Sequence, residues 1–112
     1  MTRLRSDIFV AALVRRVFGQ GGFAAIEHRG MEEAGAIFVR QRFRDGRETL
    51  YGPAPQSLVD EEGAASRRFE IRLAAAEPDE VAALIARERK WDPDLWLVEI
   101  EVDELGDLLP LV

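Results

Sequence analysis

Apolar and polar residues alternate along this chain with two different periods. In residues 6–22, "SDIFVAALVRRVFGQGG", Phe9, Val10, Leu13, Val14, Val17 and Phe18 recur at helical spacing, with Arg15 and Arg16 on the opposite side. Ser6 reads as the N-cap, Asp7 sits in the first turn, and Gly19 with Gly21 and Gly22 ends the helix. The apolar face is wide, so the helix is either deeply packed or part of a dimer contact. "FAAIEHR" then reads as a strand, "GMEEAG" as a turn and "AIFVRQRF" as a stronger strand. "RDGR" supplies an Asp-Gly hairpin turn into "ETLYG". "PAPQSLVDEEGAAS" reads as loop, with room for one helical turn. "RRFEIRLAA" alternates as a strand does, with a short helix as the alternative for 66–75. "PDEVAALIARERK" is a second helix: Pro78, Asp79 and Glu80 suit its first turn, Val81, Leu84 and Ile85 form its buried stripe, and Arg87, Arg89 and Lys90 suit its last turn.

The corner "WDPD" follows. Asp92 precedes Pro93, and a residue before proline is driven out of the helical region, so the helix stops there. "LWLVEIEVD" then alternates, with Trp96, Val98, Ile100 and Val102 on one face and Glu99, Glu101 and Asp103 on the other. Asp92 and Asp94 are candidates for a carboxylate site. The competing reading is structural: aspartates at such corners bond local backbone N–H groups, and neither a partner base nor a metal ligand lies near them in the sequence. These elements predict a single α+β domain over 1–112, an antiparallel sheet of four or five strands with two helices packed on one face.

Composition narrows the function classes. The chain has 112 residues, 47% hydrophobic and 32% charged, enough to bury a core without staples. It has no cysteine, which removes a disulfide framework, thiolate metal ligation and a Cys nucleophile. Its net charge of −6 argues against general affinity for nucleic acid. Residues 1–47 carry +4 and residues 48–112 carry −10, so the two halves can neutralise one another. The apolar run Ile8–Val14 is stopped by Arg15 and Arg16, too short to span a membrane, and the chain reads as cytoplasmic.

Candidate chemistry is sparse, and no catalytic, metal or cofactor constellation is found. Arg40, Arg42 and Arg44 alternate on one face of their strand, while Ile37, Val39 and Phe43 take the other. Glu99, Glu101 and Asp103 repeat the design with reversed sign, which suggests two neighbouring strands forming a charge ladder on a solvent face. The same arginines could instead hold a phosphate, a carboxylate or an RNA backbone. "LYGPAPQS" offers a stiff loop in which Tyr51, Gly52, Pro53, Gln56 and Ser57 could line a pocket; the plainer reading is a rigid hairpin exit. His28 lies on a predicted strand with Ala24 and Ile26, and neither His28 nor Ser57 has a visible catalytic partner. "DEEG" at 60–63 lacks the ligand spacing of a calcium loop.

"GAIFVRQ", "LYGPAPQS" and "WDPDLWLVEIE" resemble signature segments of the small alphaproteobacterial proteins grouped as domain of unknown function 1491. The resemblance implies a bacterial cytoplasmic one-domain protein and supplies no catalytic residue. Trp91 stands where the family pattern has Phe, a conservative change that implies a packing role. The expected function is non-enzymatic binding or assembly, with a homodimer formed through the first helix or an edge strand and an unknown protein partner. The alternative is a small-anion or metabolite site built on Arg40, Arg42, Tyr51 and Gln56; a third reading is weak RNA binding by the basic hairpin.

Overall fold

The computed structural model describes residues 4–55 and 67–112. Gln56, Ser57, the possible helical turn before Arg67 and the acidic 60–63 segment lie outside the described residues. The elements follow the order α1 (Ser6–Gly19), β1 (Phe23–His28), β2 (Ile37–Arg42), β3 (Glu48–Pro53), β4 (Phe69–Ala76), α2 (Pro78–Trp91) and β5 (Trp96–Glu101). This is the expected α+β fold; within the ambiguous 66–75 segment, Ser66 lies outside the described residues and the strand reading holds from Phe69.

The sheet has five strands in the order β1-β5-β2-β3-β4. It is mixed rather than antiparallel, because β5 runs parallel to β2, with Val39 opposite Val98 and Arg40 opposite Glu99. The cause is α2. β2, β3 and β4 form an antiparallel meander, and a helix that crosses the sheet after β4 delivers the next strand in the same direction as β4. That strand then slots between β1 and β2.

The helices occupy opposite faces, not one. α1 packs Val10, Leu13 and Val17 against Ile37, Val39, Tyr51, Trp96 and Val98. α2 packs Val81 and Ile85 against Phe38, Leu50, Leu95 and Leu97. The sequence carries the reason: β2 and β5 are apolar on both faces over their first halves ("IFV", "LWLV"), as strands covered on both sides must be. Alternation sets in only at Arg40 and Glu99, where the helical cover of the second face runs out.

α1 starts differently from expectation. Ser6 is the first helical residue rather than its cap. Its buried hydroxyl donates to the Gly35 carbonyl at 2.6 Å and accepts from Arg67 Nη2 at 2.7 Å. The free N–H groups of the first turn go to the Glu33 and Glu32 carbonyls and, from Ile8, to the Asp7 carboxylate. The turn after β1 therefore caps the helix with its backbone.

That turn also carries the corner. Met31 N–H donates to the Asp94 carbonyl at 2.9 Å, Trp96 N–H to Ala36 at 2.7 Å, and the Trp96 indole to the Met31 carbonyl at 2.8 Å. A Cβ on Gly30 would lie 2.1 Å from the Asp94 oxygen and 2.6 Å from the Leu95 carbonyl carbon. Both obstacles are backbone, so Gly30→Ala is expected to cost roughly 1–3 kcal/mol through forced displacement. Urea unfolding measures this, and an unchanged midpoint would show that the corner yields freely.

Candidate functional site

Where α2 leaves the sheet uncovered, four strands contribute to one charge network. Arg40 and Arg42 project from β2 beside Glu48, the first residue of β3, which the hairpin register places opposite Arg42. Arg42 Nε donates to Glu48 Oε2 at 3.2 Å and its Nη1 lies 3.1 Å from Glu99 Oε2. Arg40 Nη1 lies 3.6 Å from Glu48 Oε1, and its Nη2 donates to Glu27 of β1. Glu48 is only 1% exposed, so the centre of this network is buried, unlike the solvent-face ladder expected. Burial works against the Arg42 charge, yet the Glu99 and Glu48 carboxylates hold its guanidinium above its ordinary pKa. A hydrogen bond with Glu99, together with the Glu99 charge, raises the Glu101 carboxyl above the usual range. Arg44, at the turn, pairs with Asp103 at 3.2 Å in solvent. The expected pairing of β2 arginines with β5 acids is thus found for Arg42 and Arg44, whereas Arg40 turns to Glu27 and Glu48.

Of the pocket residues Arg40, Arg42, Tyr51 and Gln56, Gln56 lies outside the described residues, and Tyr51 and Arg40 lie on opposite faces of the sheet. Tyr51 is buried on the α1 face, and Arg40 projects to the α2 face. The Tyr51 hydroxyl donates to Gln41 Oε1 at 2.7 Å, Gln41 Nε2 donates to the Val102 carbonyl at 3.0 Å, and burial pushes the phenol pKa up. Gly52 is required by packing: a Cβ there would meet the Phe38 ring at 2.8 Å and Arg72 Cζ at 2.9 Å. The Pro53 carbonyl accepts from Arg72 Nη2 at 2.8 Å. Gly52 and Pro53 therefore seat Arg72, which also reaches Glu70 and Glu88.

At the corner, the Asp94 N–H donates to Asp92 Oδ1 at 3.1 Å and Leu95 N–H to the Asp92 carbonyl at 3.3 Å. The Asp92 carboxylate thus serves the turn between α2 and β5, and Asp94 joins it through its backbone. Trp91 does not pack as the family pattern implied: it is 87% exposed, because the last turn of α2 presents it away from the sheet. The β-bulge between Ile26 and His28 swings His28 opposite Leu97, off the apolar α1 face assigned to it. Its Nδ1 lies 2.7 Å from the Leu95 carbonyl and so carries the proton.

A cleft of about 830 Å³ opens beyond the carboxyl ends of β2 and β5. Arg42, Arg44, Glu101, Asp103 and Glu104 line it with Gly21 and Gly22. Its charges are mixed, and no hydroxyl nucleophile or histidine is among the described residues that line it. Among the described residues, no group of three or more His, Asp or Glu side chains could hold a metal ion. No helix there is long and apolar enough to cross a membrane.

The other feature missed from sequence is the β1 edge. Among the described residues β1 pairs with β5 alone, and its apolar side chains are not fully covered there. Ile26 is 37% exposed and Phe23 46%, and the Phe23 ring packs edge-on against half-exposed Phe18 of α1 at 5.9 Å. Phe18, at the end of the wide α1 stripe, was the legible signal.

Residues 4–110 match the family described as "Protein of unknown function (DUF1491)". No curated protein matches the chain. The solution structure of protein Atu0922 from A. tumefaciens is similar at 65% identity, covering 99% of this chain and 96% of that one, with a TM-score of 0.88. The crystal structure of a DUF1491 family protein from Caulobacter crescentus shares 30% identity over 97% of both chains, with a TM-score of 0.79.

Proposed function

This chain belongs to the DUF1491 family, and from that premise we propose that it is a non-enzymatic assembly module that pairs with a second copy of itself along β1. The observation that carries this reading is the open β1 edge flanked by Phe18, Phe23 and Ile26. An edge strand with exposed apolar side chains invites another strand, and monomeric proteins usually blunt such edges with charge, proline or a covering segment. β4, the opposite edge, is treated that way at its start: Phe69 bonds Pro110 and Val112 of the C-terminal segment, and Leu111 bridges to it. Glu27 is the acidic side chain of β1, and Arg40 engages it.

The anion and RNA readings draw little support from the same geometry. Arg40, Arg42 and Arg44 each face a carboxylate, so a phosphate would have to displace Glu48, Glu99 or Asp103. For an enzyme, the described hydroxyls of Ser6 and Tyr51 and the imidazole of His28 are tied to structural partners.

Sedimentation equilibrium tests the proposal. The wild-type chain is expected to be a dimer, and Ile26→Lys combined with Phe18→Glu to weaken it at least tenfold, about 1.4 kcal/mol, with an unchanged circular dichroism spectrum. A wild-type chain that sediments as a monomer at every concentration refutes it.

A further inference from the structure

The two ends of β1 carry charge of opposite sign that forms no ion pair among the described residues, although Glu101 shares a hydrogen bond with Glu99. At the amino end, Phe23 lies opposite Glu101, and Gly22 lies against Val102 and the Glu101 carbonyl. In the cleft there, Arg42 is held by Glu48 and Glu99 and Arg44 by Asp103. Glu101 and Glu104 line the same cleft and form no ion pair among the described residues. At the carboxyl end, a shallow cleft of about 370 Å³ is lined by His28, Ala86, Arg89, Lys90 and Pro93, with no carboxylate among the described residues of its wall. Arg89 and Lys90 likewise have no ion-pair partner among the described residues. Of the acids nearest in the chain, Glu88 pairs with Arg72 and Asp92 accepts the Asp94 amide. Arg15 and Arg87 are also without an ion-pair partner among the described residues; what sets this end apart is that two such cations line one cleft beside β1.

Resting on the dimer reading above, we propose that the second copy docks antiparallel on β1, setting Arg89 and Lys90 of each copy against the partner's Glu101 and Glu104. A two-fold axis across β1 is the isologous solution, and it brings the carboxyl end of one strand beside the amino end of the other. Six residues at about 3.4 Å each separate the two ends by roughly 20 Å, so the basic-to-acidic contact forms at both ends at once, twice per dimer. Parallel docking would set like charges together, which is destabilising. Charge of this kind fixes orientation and partner choice more than it adds affinity, while Phe18, Phe23 and Ile26 supply the apolar contact.

A charge swap tests it by sedimentation equilibrium at low and high salt. Arg89→Glu with Lys90→Glu in one chain, and Glu101→Lys with Glu104→Lys in another, are each expected to weaken self-association at least tenfold at low salt. An equimolar mixture of the two is expected to recover the wild-type association constant, because both ends are again opposite in sign. The milder pair Lys90→Glu and Glu104→Lys is expected to give the same pattern at smaller amplitude, and it keeps the test open if a double variant misfolds. Dimers that ignore all these changes, or a mixture that fails to recover, overturn the antiparallel charge-matched docking while leaving pairing along β1 standing. A monomeric wild-type chain removes both.

Discussion

Glu48→Ala is expected to lower the unfolding free energy by about 3 kcal/mol, the lower end of the cost of breaking a buried ion pair by removing one partner. Glu48 is 1% exposed and receives both Arg40 and Arg42. Its loss leaves Arg40 mostly shielded from water with only Glu27 to answer it, and Arg42 with only Glu99. For a domain whose total stability is about 5–15 kcal/mol, that is a large fraction. The control is Arg44→Ala. Arg44 and Asp103 are both largely in solvent, and an exposed pair contributes about 0–1 kcal/mol. Urea denaturation of the two variants side by side decides the matter. Equal, small losses would mean that Glu48 gains nothing from its burial among arginines.

The second large effect separates the two tryptophans that flank the α2–β5 corner. Trp96→Ala is expected to cost about 3–5 kcal/mol, as for other large aromatic truncations in a core. Its ring is 1% exposed, its indole N–H donates to the Met31 carbonyl, and Arg29 lies 5.1 Å over its face. Trp91→Ala is expected to stay within about 0.5 kcal/mol, because surface changes away from special features do so. Thermal unfolding with tryptophan fluorescence reads both: the Trp91→Phe protein should retain the blue-shifted emission of a buried indole, and Trp96→Phe should lose it. A Trp91 variant as unstable as the Trp96 variant would place Trp91 in a packed environment.

Much of the fold was legible because its signals are local. Pro78 with two acids opens α2, the Asp-Gly turn closes β2 on β3, and Pro93 stops α2 where expected. The helical faces were not legible in the same way. Assigning Trp96, Val98 and Ile100 to the core was correct, but Leu95 and Leu97 are equally buried on the second face. A strand covered on both sides does not alternate, and reading only its alternating half hides one layer of the protein. Parallel pairing was invisible for a related reason: register between β2 and β5 depends on α2 crossing the sheet, which no short window of sequence contains. Within the site, Arg42 and Glu99 could be matched by charge pattern. Glu48 could have been found too, but only with a three-residue loop, 44–46, closed by Phe43 and Arg47; a two-residue Asp45–Gly46 turn would set Glu48 opposite Phe43. Glu27 and the His28 swing could not, because they follow from a bulge. The exposure of Trp91 shows how a residue type that favours cores says nothing of which way its helix turns.

The place of β5 between β1 and β2 has a kinetic consequence. The strand that fills the middle of the sheet comes after every other strand in the chain, so β1 has no neighbour to bond until it arrives. The β2–β3–β4 meander can form early from near neighbours, but α1 and β1 must wait with their apolar surface uncovered for a segment some 70 residues away. Until β5 is available the sheet is therefore half-built with an empty slot, and the interval before that slot closes is when the chain is most exposed to capture by chaperones or by the wrong strand.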